Sequence, residues 1–350
     1  MKLLTATITP LLSLCLLVLP IVTRAADADP LFSSGEPLDI TLTGPFSQID
    51  RERDKDQEYP GTLSYQDNGS TVTLDVKFSV RGNFRLQKEI CDYSQLWIDF
   101  DKDEVDGTLF DKQNKVKLVV QCQSNVRYSR YIAKEQQAYD MYNLITDRSF
   151  KSRLLNVTYH ENDRGRDRTT LGIFIEHKDR LAKRIDMKDV ELNSIASSEL
   201  DPLQGLLANL YMYMISNVDF SLITAHEGEE CCHNAKLFRA DDGTYYPVPY
   251  DFDITGYVDT SYAGPNPDLK QRSIRQRIYR GYCVPDDVMR AALDIYRANA
   301  DAILAIAANE TYTDSRTANT AVRYLQGFFD TINDPKELQK DILDDCRQIR

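Results

Sequence analysis

Past residue 26, the 350-residue chain has no apolar run long enough to cross a bilayer. Histidine is scarce. The four present are His160, His177, His226 and His233, and no Gly-x-Ser-x-Gly turn accompanies them, so serine or cysteine hydrolase chemistry lacks its nucleophile elbow. Positive charge is in deficit, with 42 Lys and Arg against 54 Asp and Glu and a formal net charge of -12. Such a chain repels nucleic acid phosphates outside any local basic patch. There is no internal repeat and no low-complexity tract, which sets aside solenoids and disordered arrays. An aspartic protease needs two Asp-Thr-Ser/Gly loops sharing one proton. Val258-Asp259-Thr260-Ser261 has no convincing second copy, because Asp253-Ile254-Thr255-Gly256 is one residue off.

What is present begins with Lys2, the apolar run Leu11 to Val22, and small residues through Ala25-Ala26. This pattern reads as a secretory signal peptide over 1–26, with an uncleaved anchor as the alternative. The expectation is an exported protein, periplasmic or extracellular, with no membrane span after cleavage. Six cysteines follow, Cys91, Cys122, Cys231, Cys232, Cys283 and Cys346, an even number that suggests disulfides in an exported chain. Cys91 and Cys122 both fall in the strand-rich first half and are expected to pair, leaving the other four to sort among themselves. A zinc site from His226, Cys231, Cys232 and His233 is the alternative, although adjacent cysteines suit one tetrahedral ion poorly. Asn68, Asn156 and Asn309 head glycosylation sequons, which matter only in a eukaryotic secretory pathway.

Alternation and an Asn68-Gly69 corner predict a hairpin over 61–80, with further strands at 96–100 and 115–120. The acidic run from Asp99 to Gly107 imitates a calcium loop but has Glu104 and Phe110 where the loop needs Gly and Glu, so it reads as a solvated turn. A helix follows over 128–146 with Tyr131, Ile132, Glu135, Tyr139 and Tyr142 on one face. Glu135 is out of place in that stripe. It is either buried against a cation or at an edge facing water. Strands resume at 153–159 and 170–176. Helices then dominate: an amphipathic one through Leu203 to Ile215, and others over 285–308, 317–332 and 335–349. The domain reading is a sheet-rich amino lobe at 27–185 and a helical carboxyl lobe at 186–350, interrupted by a hairpin at 235–250.

That hairpin carries chemistry. Asn234 stands at its entry and Asp251-Phe252-Asp253 at its exit, so its two ends lie side by side. In chain order come a strand lysine (Lys117), a helix glutamate (Glu135), a loop aspartate (Asp219), Asn234 and Asp251. Phosphoryl transfer from ATP needs these parts: a lysine on the phosphates held by a glutamate, an aspartate facing the hydroxyl nucleophile, and an asparagine and aspartate holding magnesium.

The segments RGNFR (81–85), SFKSRLL (149–155), IFIE (173–176) and PYDFD (249–253) resemble the CotH family of spore-coat-type atypical protein kinases. More loosely, NVDFS, HNAKLF and PVPYDFD resemble the HipA-type serine kinases and the secreted kinases of the animal Golgi. The resemblance spans roughly 75–285 and is patchy between motifs. It implies a two-lobed kinase-like α+β fold with an antiparallel-sheet amino lobe, and an exported phosphotransferase using ATP with Mg2+ or Mn2+ on a protein or small-molecule hydroxyl acceptor. It implies Asp219 as the catalytic aspartate, and Asn234 with Asp251, or Asp253 in its place, on the metal. Arg81, Lys117 and Glu135 would serve the cofactor. The sequence departs from the family in its fifteen-residue gap from Asp219 to Asn234, its Cys231-Cys232 insertion, and the lack of a glycine-dense phosphate loop near Arg81-Gly82-Asn83. The basic segment with Lys270, Arg272, Arg275, Arg277 and Arg280 corresponds to a substrate loop holding an acidic peptide or phosphate, or else covers the acidic body of the protein. The rival reading is a non-catalytic exported binding or structural protein.

Overall fold

The computed structural model describes residues 28–162, 167–225 and 230–348. The signal-peptide expectation for 1–26 and His226 lie outside the described residues. The first strands follow from their alternation. β1 (Leu38–Gly44) is followed by a short helix α1 (Phe46–Glu52), then β2 (Glu58–Asp67) and β3 (Ser70–Arg81) join at Asn68-Gly69, both at positive φ, as a tight hairpin corner requires. β4 (Gln95–Phe100), the one-turn α2 (Lys102–Val105) and β5 (Lys115–Val120) continue the antiparallel run. Leu74, Val76, Phe78, Leu96, Ile98, Val116 and Leu118 point inward and are buried together.

The twenty-residue helix α3 (Val126–Ile145) starts at an Asn125 cap, whose side chain accepts from Arg127 N–H at 2.8 Å. β6 (Ser152–Glu161) and β7 (Asp167–Ile175) follow it and return to the sheet. β7 pairs with β5, and β6 pairs in parallel with β1, Leu38 opposite Leu155 through Gly44 opposite Glu161. The sheet therefore closes as a mixed barrel of seven strands among the described residues, in the order β1-β2-β3-β4-β5-β7-β6. This overturns the expected two-lobed kinase-like fold with an antiparallel amino-lobe sheet. Period-two patterning identifies strands but is blind to a parallel pairing between distant segments, and that pairing is what closes the barrel. Gly61 sits at the tight crossing of β1 and β2, where a Cβ would lie 2.3 Å from the Thr43 carbonyl oxygen.

The outer face of β5, β6 and β7 is apolar too. Val119, Leu154, Leu171, Ile173 and Ile175 pack against α3 and the helical layer beyond it. After α4 (Lys178–Arg184) and the two-residue β8 (Lys188–Asp189) comes α5 (Pro202–Ile215), buried all round rather than along one stripe, because barrel-side elements and later helices cover both of its sides. β9 (Ala235–Arg239) and β10 (Tyr245–Pro249) form the expected hairpin, and β8 adds a third strand to it. The span 285–308 is two helices, α6 (Asp286–Ala298) and α7 (Ala300–Ala308), divided at Asn299. α8 (Ser315–Asn333) and the short α9 (Pro335–Leu338) follow.

Three disulfides stand among the described residues: Cys91–Cys122, as expected, then Cys231–Cys232 and Cys283–Cys346. Together with the absence, among these residues, of a helix long and apolar enough to cross a membrane, they fit an exported protein. The zinc alternative loses both its sulfurs to the Cys231–Cys232 bond. Cys283–Cys346 spans 63 positions and ties the end of the chain to the segment before α6. A cross-link over such a loop contributes about 2–4 kcal/mol, mainly by restricting the unfolded chain. The Cys283→Ser/Cys346→Ser double variant should lose stability of that order in urea titrations under oxidising conditions, and the difference should vanish when both proteins are reduced.

Candidate functional site

The site forms where the outer face of the barrel meets α3 and the exit of the β9/β10 hairpin. The register places Ser79, Trp97, Lys117 and Ile175 in one row across β3, β4, β5 and β7, on the face opposite the barrel interior. Arg81 is the last residue of β3 and Gly82 follows it. A cavity of about 390 Å³ opens over this row, with Trp97, Lys117, Arg81, Phe150, His177 and Tyr250 among its walls. That volume lies in the range of small-molecule pockets. Lys117 is buried, with its ammonium 5.0 Å from the centre of the Tyr250 ring, and Arg81 lies 5.7 Å over Trp97.

Behind the cavity is a buried set of charges. Asp251 follows β10 at φ 65°, and Asn234 precedes β9 at φ 52°. Asp and Asn are the side chains that best tolerate this left-handed backbone, so the two residues serve the turns as well as the chemistry. Tyr250 N–H donates to the Asn234 carbonyl at 3.0 Å, holding the hairpin ends together. Asp251 N–H donates to Tyr139 Oη, also at 3.0 Å. The Asp251 carboxylate lies 3.1 Å from Arg85 Nη2 and 3.9 Å from Lys117 Nζ. Arg85 Nε lies 3.4 Å from Asp253, which also accepts from Tyr262 Oη at 3.0 Å. Arg85 Nη1 is 3.9 Å from Glu135 Oε2, while Glu135 Oε1 is buried without a hydrogen-bond partner.

Glu135 is therefore buried, 1% exposed, and paired with a cation. That cation is Arg85 rather than Lys117, which turns to Asp251. Burial pushes the Glu135 carboxyl up to about 8 against the pull of Arg85, helped by the neighbouring Asp253 and Asp251 charges. Burial also raises Asp253, with Arg85 opposing. Burial would raise Asp251 as well, but Lys117, Arg85 and Arg81 more than reverse it and hold it at about 2. Lys117 is lowered to about 8 by burial and by Arg81. At neutral pH the set thus holds Arg81, Arg85 and a largely charged Lys117 against fewer ionised carboxylates, and it presents net positive charge to the cavity. The buried Arg81 Nη1 has no hydrogen-bond partner and is a donor suited to an anion.

Asp219 lies in the loop after α5, which ends at Ser216 in the left-handed conformation. Asn217 Oδ1 accepts from Asp219 N–H at 2.9 Å, Asn234 Nδ2 donates to the Asp219 carbonyl at 2.5 Å, and His233 Nε2 lies 2.9 Å from Asp219 Oδ1. The Asp219 side chain is about half exposed, 49%. His233 also contributes to the positive field on Asp251, which links this network to the buried set.

Arg280 donates to the carbonyls of Val218 and Phe220 and so holds the Asp219 loop. Arg277 donates to the Met214 and Tyr324 carbonyls, and Arg275 pairs with Asp259 at 3.3 Å. These three arginines are tied to the protein's own groups, and the exposed Arg272 lies beside them in an irregular segment. Lys117, Glu135, Asp251, Asp253 and Arg81 lie together in the structure, and Asp219 and Asn234 form the adjoining network with His233. Arg85, Tyr139, Tyr262, His233 and Trp97 are the additional participants. Arg85 carried a signal as the second arginine of RGNFR, Tyr139 as part of the apolar helix stripe and His233 as a zinc candidate.

The oxygens of Glu135, Asp251 and Asp253 lie within 4.8 Å of one another, a spacing suited to a cation. A magnesium ion does not fit this triad as it stands, because three nitrogens of Arg85 already face the three carboxylates. The cavity itself offers aromatic walls, the Lys117 ammonium and, beside it, an Arg81 Nη1 without a hydrogen-bond partner. No family model matches the chain, and no curated protein matches it.

The raised Glu135 pKa carries a sign that can be tested. In the folded state this group stays protonated up to about 8, whereas unfolded it ionises near its ordinary value of 4.5. Its contribution therefore makes stability fall as pH rises between those values, by up to about 1.4 kcal/mol per pH unit. Glu135→Gln should match the wild type near pH 5 and become progressively more stable than it toward pH 8, as read from urea melts at each pH.

Proposed function

We propose that the cleft binds a nucleoside polyphosphate and serves phosphoryl transfer to a hydroxyl acceptor outside the cytoplasm, in the periplasm or extracellular space. The observation that carries this reading is Lys117. It is a buried lysine in the wall of a cavity, flanked by Trp97 and Tyr250 and coupled through Asp251 to the hairpin ends. The order of motifs that resembles the CotH-type kinases supports the same chemistry, although the closed barrel is not the architecture that resemblance implied.

In this reading the flat side chains of Trp97 and Phe150 receive the base, and Lys117 and Arg81 bind the phosphates. The net positive charge behind them stabilises the negative charge that spreads over the transferred group. Asp219, oriented by Asn217 and sharing its carboxylate with His233, accepts the proton of the acceptor hydroxyl as the new oxygen–phosphorus bond forms and the bond to the leaving phosphate breaks. A second reading, binding without transfer, is favoured by Arg85: its guanidinium faces all three carboxyl groups that a phosphotransferase would commit to metal.

Trp97 is the chain's only tryptophan and lines the cavity, so its emission reports directly on occupancy. Addition of ATP should quench or shift that emission saturably, and Lys117→Met should weaken binding roughly ten- to a hundredfold, the worth of a charge-assisted contact. Asp219→Ala should leave binding within about threefold and abolish slow ATP turnover with water as acceptor. Binding without turnover in the wild type selects the second reading, and a folded protein whose Trp97 ignores nucleotide sinks both.

A further inference from the structure

We infer that Arg85 is the resident cation of the Glu135, Asp251 and Asp253 triad, so that the cleft takes its phosphate ester without a divalent metal ion. The statement about the triad stands on geometry alone, whereas the statement about the phosphate ester rests on the nucleotide-binding reading above.

The three carboxylates supply oxygens that all lie within 4.8 Å of one another, and such a cluster has room for one positive centre. Divalent ions take oxygens at about 2.0–2.6 Å, and a guanidinium takes them at about 2.7–2.9 Å when optimally placed, so the two compete for the same space. Arg85 meets each carboxylate with a different nitrogen: Nη2 toward Asp251, Nε toward Asp253 and Nη1 toward Glu135. A lysine could not do this, because only the planar fork presents separate donors in fixed directions.

Arg85 is also pinned in place. Gly82, at φ 88°, follows β3 and leads into the one-turn 3-10 helix Phe84–Leu86 that carries Arg85. Arg53, itself at φ 53°, donates to the carbonyls of Leu86, Cys91 and Asp92 at 2.7, 2.8 and 2.9 Å. The Cys91–Cys122 bond fastens the far end of the same segment beside β5. Phe84 packs on Tyr262, whose hydroxyl donates to Asp253. The segment is therefore held by covalent and hydrogen-bonded anchors after Arg85 and by the packing of Phe84 just before it. Glu135 Oε1, buried and without a partner, is the ligand position that the guanidinium leaves unused, and an ion replacing Arg85 would take it up.

The test begins with metal alone. Tb3+ is titrated into the oxidised protein, and its luminescence, sensitised by Tyr139 and Tyr262, is compared with that of Asp253→Asn. The expected wild-type result is no signal that Asp253→Asn removes, together with at least tenfold tighter Tb3+ binding in Arg85→Met. A wild-type signal lost in Asp253→Asn overturns the inference, and so does a folded Arg85→Met that gains no site. The wild-type comparison decides the matter if Arg85→Met does not fold.

The second arm follows Trp97 emission during ADP titration in EDTA and in Mg2+. Dissociation constants within about twofold are expected, and binding that requires Mg2+ overturns the metal-independent half. ADP binding in neither buffer counts against the nucleotide reading, while the Tb3+ result still decides the role of Arg85.

Discussion

A guanidinium buried among three carboxylates is the constraint on which the rest of this site depends. Ions taken out of water are tolerated only when each finds a partner, and removing one charged member of such a set costs about 3–5 kcal/mol through the charge left behind. Much of the surrounding structure can be understood as keeping the partners in register. The left-handed backbone at Asp251 turns its carboxylate toward the barrel, and Tyr139 receives its amide. Arg53 and the Cys91–Cys122 bond fix the segment bearing Arg85, and Tyr262 steadies Asp253. Arg85 and Lys117 from the barrel side, Glu135 from α3 and Asp251 from the hairpin exit are drawn together by the ion set.

The cluster also explains why neighbouring groups of one type differ so widely. Asp251 faces Lys117, Arg85 and Arg81 and remains firmly ionised, whereas Glu135, deeper and served by one distant cation, holds its proton. Two carboxyls a few ångströms apart thus carry different charges at one pH. The excess of positive charge falls on the cavity side, where Lys117 and Arg81 stand, and the exposed Asp219–His233 pair lies toward solvent. A covalently attached cation in the triad has a further property that an ion lacks: it cannot be lost to a chelator or exchanged for another metal when the medium changes.

Local features of the sequence revealed much of this and missed the rest for physical reasons. The Asn68-Gly69 corner, the alternation through β2 to β5 and the periodic stripe of α3 are each legible over a short stretch, because each is stabilised by neighbours in the chain. Glu135 announced itself as a polar residue in an apolar stripe, and Asn234 and Asp251 as polar residues bracketing a hairpin. Arg85 was visible only as the second arginine of RGNFR and without its role, since an arginine in a polar turn is ordinary until one sees which carboxylates converge on it. The same holds for Tyr262 and His233, whose roles depend on elements far away in sequence. Closure of the barrel was hidden for the same reason: nothing in β1 or β6 taken singly distinguishes a parallel seam from a sheet edge.

That seam bears on how the molecule assembles. Leu38 meets Leu155, so one side of β1 stays open until almost all the strands of the barrel exist. Contacts so distant along the chain form late, since the loop they close must first be ordered. For a chain emerging amino end first, β1 and β2 pair while the other edge of β1 still offers unpaired amides and carbonyls to any strand that comes by. The interval between synthesis of β1 and synthesis of β6 is thus when this protein is most exposed to wrong partners, and the barrel's final lack of edges is reached only after passing through it.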